Sequence, residues 1–65
     1  MKYRELKRLF AKHGVTYVRT RGDHEVWTVG SCTTVVPADS EVAPGTLRQI
    51  EKHLAPCLGE GWLSK

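Results

Sequence analysis

The chain has 65 residues, enough for one domain over 1–65. A chain this short buries only about 60% of the surface its unfolded form exposes, which excludes a large enclosed substrate cavity. Ten Lys and Arg against seven Asp and Glu give a net charge of +3, a balance that favours an anionic partner such as RNA, DNA or an acidic protein surface.

The N-terminus, Met1-Lys2-Tyr3-Arg4-Glu5-Leu6-Lys7-Arg8, carries charge where a secretory signal or membrane span needs a continuous apolar run, so a cytoplasmic protein with no membrane contact is expected. From Tyr3 to His13, the residues Tyr3, Leu6, Leu9 and Phe10 recur every three or four positions. They form the apolar stripe of an amphipathic helix. Arg4, Lys7, Arg8 and Lys12 then face water, and Gly14 suits a left-handed C-terminal cap.

Val15 to Thr20 and Glu25 to Val29 are rich in β-branched and aromatic residues and flank Arg21-Gly22-Asp23, the pattern of an antiparallel hairpin. Trp27 is expected in the core. Gly30-Ser31 is a second turn, followed by a third strand from Cys32 to Val36 that Pro37 stops by lacking an amide hydrogen. Cys32 and Cys57 are far apart and outside any Cys-x-x-Cys pair, which fits two reduced thiols. Neither forms a zinc-ligand spacing with His13 or His53, so no metal and no cofactor are expected.

After a loop from Ala38 to Val42, Pro44 suits the first turn of a second helix, on which Leu47, Ile50 and Leu54 share a face. Pro56 is expected to end it. In the glycine-rich tail, Leu58, Trp62 and Leu63 can pack as a short closing turn. The order α-β-β-β-α with short connections implies an α+β sandwich, a three-stranded antiparallel sheet with both helices on one face.

The strongest case for chemistry is His24. Neutral imidazole can take a proton from a ribose 2′-hydroxyl near physiological pH, while guanidinium groups hold the adjacent phosphate. Lys2, Arg4, Lys7, Arg8, Lys12, Arg19 and Arg21 all precede residue 22 against only Glu5, so a polyanion footprint is expected there. Lys7 and its helical neighbours form a phosphate track only if they lie on the same side as His24. The first-turn amides at Gly45 and Thr46 also suit a phosphate. His13 and His53 read as helix-surface residues without a role.

Four stretches carry a resemblance over nearly the whole chain: the Leu6-x-x-Leu9 helix ending at Gly14, the strand feeding Gly22-x-His24, Val36-Pro37, and Pro44-Gly45-Thr46-Leu47-Arg48-x-Ile50. The chain resembles the HicA-type toxins of bacterial HicAB toxin-antitoxin modules. The resemblance implies a double-stranded-RNA-binding-domain-like fold and the toxin half of a type II system. It also implies an endoribonuclease that cleaves mRNA without a metal, with His24 as general acid or base and a HicB-type antitoxin as partner. Arg19, Arg21, Gly22, Arg48 and Lys7 are then the RNA-binding candidates. Asp23, where the family commonly has a small residue, and Glu25 add negative charge beside the imidazole, which opposes phosphate binding. That leaves an alternative: a non-catalytic RNA-binding or antitoxin-binding module of the same fold.

Overall fold

The computed structural model describes residues 1–64. Helix α1 spans Tyr3–His13, strands β1, β2 and β3 span Thr16–Arg21, His24–Val29 and Cys32–Pro37, helix α2 spans Pro44–Leu58, and a 3-10 turn covers Trp62–Ser64. The strands form one antiparallel sheet in the order β1-β2-β3, so the expected α+β architecture is present. Gly14 closes α1 in the left-handed region, with φ 77°.

The strand register decides which residues can act together. Antiparallel partners share a face and successive residues alternate. Trp27 pairs with Thr34, Glu25 with Val36 and Val29 with Cys32, which puts these six residues on one face. Both helices cover that face: Phe10 of α1 lies 4.9 Å from the Trp27 ring, and His53 of α2 hydrogen-bonds Thr34. Leu6, Phe10, Val36, Ile50, Leu54 and Trp62 make up the most deeply buried apolar core. His24, paired with Pro37, faces the opposite way with Val26 and Val35.

The register of β1 against β2 shifts between Tyr17 and Arg19, leaving Val18 unpaired. Strict alternation from the Tyr17–Trp27 pair would place Arg19 opposite Glu25. The irregularity instead pairs Arg19 with Val26 and Arg21 with His24, so one extra residue turns both arginines onto the face that carries His24.

The two-residue turn Gly22-Asp23 joins β1 to β2, and Gly22 has φ 57° while no non-glycine residue among those described has positive φ. This is the glycine-first arrangement of a type II′ hairpin turn, whose twist matches the flanking strands. No neighbour would meet an added Cβ at Gly22, so the cost of a substitution is conformational. Gly22→Ala should therefore lose about 1 to 2 kcal/mol of stability in urea unfolding. An unchanged midpoint would show that the turn relaxes at no cost.

Two expectations about the second helix are corrected. Pro56 does not end α2 but lies inside it, and the helix runs on to Leu58. An interior proline forfeits one backbone bond and crowds the preceding turn, at about 3 kcal/mol. Here the last turn is held from outside: Leu58 packs on the core, the Gly59 amide bonds the Ala55 carbonyl at 2.7 Å, and Cys57 is tied to the sheet. That tie is the second correction, because Cys32 and Cys57 are not free thiols but form a disulfide with a Cα–Cα distance of 6.2 Å. The antiparallel return of α2 along β3 brings the strand start to the helix end, a proximity that sequence spacing does not show. The bridge closes a loop with a sequence separation of 25, for which the chain-entropy account gives about 3 kcal/mol. Adding dithiothreitol should lower the unfolding free energy by about that amount. No change in the urea midpoint on reduction would assign the bridge no role in stability.

Candidate functional site

His24 opens β2, exposed to solvent. Its cross-strand neighbours are Arg21 on β1 and Pro37 on β3. Beside it runs a shallow cleft of about 540 Å³. His24, Val35 and Pro37 form the sheet wall, and Gly45, Thr46, Gln49 and His53 of α2 form the other. Gly45, Gln49 and His53 also border a second hollow with Arg48 and Lys52, so a continuous groove leads from His24 along the exposed side of α2.

Backbone bonds keep the two walls apart at a set distance. The Ala38 amide donates to the Asp23 carbonyl at 2.7 Å, which ties the hairpin turn beside His24 to the loop leaving β3. That loop is pinned in turn by the start of the chain: the Tyr3 amide donates to the Ser40 carbonyl at 3.0 Å and the Val42 amide to the Met1 carbonyl at 2.8 Å. The loop delivers Ala43 as the N-cap of α2 with no side-chain capping bond. The first-turn amides at Gly45 and Thr46 therefore lie uncapped in the cleft wall, at the positive end of the helix dipole.

The residues named from the sequence separate into two groups. Arg21 is the direct neighbour of His24, Arg19 lies one pair further along the same face, Gly22 shapes the turn, and Arg48 borders the adjoining hollow. Lys7 is not among them. Its ammonium lies 5.4 Å from the centre of the Tyr3 ring, on the helix that covers the other face of the sheet.

Glu25 is adjacent to His24 in sequence but points to the helices. Its carboxylate accepts hydrogen bonds from the Tyr3 hydroxyl and, at 3.0 Å, from the Trp27 indole N–H. Burial, then the bond to Glu25 and its charge, push the Tyr3 hydroxyl pKa up to about 12. Glu25 thus belongs to the packing of α1 on the sheet, and no Asp or Glu lines the cleft or the adjoining hollow.

Sequence reasoning missed His53. Its Nδ1 lies 3.0 Å from the hydroxyl of Thr34, a polar side chain buried to 2% exposure in the core face of the sheet. That contact holds the ring through Nδ1, in a residue that lines both the cleft and the adjoining hollow. A signal for it existed, because Gly45, Gln49 and His53 follow one another at four-residue steps on a helix.

A family model described as the HicA toxin of bacterial toxin-antitoxin systems matches residues 3–55. The chain belongs to the HicA toxin family. No curated protein and no solved structure matches it. The matched segment of this HicA toxin contains both walls of the cleft, whereas Cys57 of the disulfide and the buried Trp62 lie beyond it. Membership makes the protein the toxin half of a pair, with an antitoxin as its partner.

Proposed function

We propose that this HicA toxin is an endoribonuclease that cleaves mRNA through the RNA's own 2′-hydroxyl. The observation that supports this most is the cleft itself, where an exposed imidazole and uncapped helix amides meet with no carboxylate in the walls, and Arg21 is the cross-strand partner of that imidazole. His24 takes the 2′-hydroxyl proton as general base, the 2′-oxygen attacks phosphorus, and the 5′-oxygen leaves and takes up a proton, from His24 as general acid or from water. Arg21 and Arg19 bind the phosphate and offset the charge that builds on its oxygens. The Gly45 and Thr46 amides serve as further donors to it.

This chemistry yields a 2′,3′-cyclic phosphate and a 5′-hydroxyl and calls for no metal ion. A HicB-type antitoxin with an acidic surface would cover the Gly22-Asp23-His24 hairpin and compete with RNA, in the cytoplasm where mRNA is found. Incubation with RNA in the presence of EDTA, followed by mass spectrometry of the ends, tests the reading. Cleavage should persist in EDTA, leave cyclic phosphate ends, and stop wherever a single 2′-deoxynucleotide replaces the attacked ribose. Cutting at that deoxynucleotide would overturn the mechanism. Binding without cutting would leave the non-catalytic module as the better reading.

A further inference from the structure

We propose that the exposed side of α2 holds the RNA strand where it leaves His24, with Arg48 and Lys52 binding its phosphates and His53 donating a hydrogen bond to the backbone between them. The inference rests on the reading of His24 as the cleavage site. It moves the polyanion footprint from α1, where positive charge is densest in the sequence, to a helix whose overall composition is nearly neutral.

Three observations carry it. The hollow bordered by Arg48, Gln49, Lys52 and His53 shares Gly45, Gln49 and His53 with the His24 cleft, so the two form one surface. All the titratable side chains along it are basic or imidazole. Lys52 also lines the next hollow, where Glu51 and Glu60 bring negative charge, which sets the end of the favourable path. From Gly45 to Lys52 the helix rises about 10 Å, room for one or two nucleotides.

The third observation is Thr34. A buried threonine hydroxyl is costly unless bonded, and this one meets the Nδ1 of His53 on the neighbouring helix. A histidine that served only as a solvated helix residue would have no need of an anchor in the core. Thr34 thereby acts as a positioning residue, holding through Nδ1 a ring that lines the groove. Lys7 rests over the Tyr3 ring on α1, and neither it nor Arg8 lines the His24 cleft or the adjoining hollow.

The experiment is anisotropy titration of the full chain with a single-stranded 2′-O-methyl RNA, which binds but cannot be cut by its own 2′-hydroxyl. Arg48→Gln and Lys52→Gln should each weaken binding several-fold and reduce the slope of log affinity against log salt by about 0.7, the value for one lost phosphate contact on a single strand. Lys7→Gln and Arg8→Gln should leave that slope unchanged. His53→Ala and Thr34→Val should weaken binding alike at a urea midpoint that still leaves each variant folded, and Thr34→Ser, which keeps the hydroxyl, should bind as the parent does. With cleavable RNA the α2 variants should raise KM and leave kcat near the parent value. If the α1 variants reduce the slope and the α2 variants do not, the inference is overturned. It is equally overturned if the α2 variants lose the antitoxin but keep RNA. RNA binding through α2 with no cleavage by the parent would uphold this inference while removing the catalytic one.

Discussion

Replacing His24 with alanine is expected to lower RNA cleavage by about 10² to 10⁴, the usual contribution of a positioned general acid or base, and to abolish growth arrest. The side chain is exposed at the first residue of β2, so its loss should cost the fold little. His24→Ala should still bind uncut RNA and the antitoxin. His24→Gln should behave the same way, because an amide can hydrogen-bond but cannot carry a proton at neutral pH. Asp23→Ser should keep or raise activity, since it removes a negative charge from the residue next to His24 in the chain while the turn retains Gly22. The assignment fails if His24→Ala cuts RNA and arrests growth as the parent does.

The second large effect is on stability. Trp62→Ala should cost about 3 to 5 kcal/mol, the range for deleting a fully buried large aromatic. Trp62 has no solvent exposure. Its ring lies 6.2 Å from Phe10 and 5.4 Å from His13, and its indole N–H donates to the Glu51 carbonyl at 3.1 Å. A chain of this length has a total stability of about 3 to 10 kcal/mol, so the variant should be largely unfolded or close to it. Circular dichroism in urea would measure this, with Trp62→Phe as a variant that keeps most of the buried area. A midpoint unchanged in Trp62→Ala would mean that the tail is not part of the core.

That result bears on how the chain is built. The tail begins Gly59-Glu60-Gly61 before Trp62-Leu63, and with two glycines so close together local propensity gives it no strong element. Its largest side chain nevertheless fills the space between α1 and α2, because the two helices leave a gap against one face of a three-stranded sheet that their own residues do not close. Burial of one indole outweighs weak local preference.

The elements themselves were legible from the sequence, since period, turn residues and caps are local: the stripe Tyr3, Leu6, Leu9 and Phe10, the left-handed Gly14, the Gly22 turn and the face Leu47, Ile50 and Leu54 all require only neighbours along the chain. His24 could be singled out for the same reason, as an imidazole placed just past a turn and close to arginines. The partners of His24 could not. Whether Arg19 and Arg21 share its face depends on one unpaired residue in β1, and whether Gly45, Gln49 and His53 meet it depends on how α2 crosses the sheet. The disulfide and the Thr34–His53 contact likewise join residues 25 and 19 positions apart. Charge density along the sequence pointed to α1, but the cleft forms where α2 meets the β3 edge of the sheet and no α1 residue lines it, because packing and not the order of charges along the chain decides which helix borders that edge.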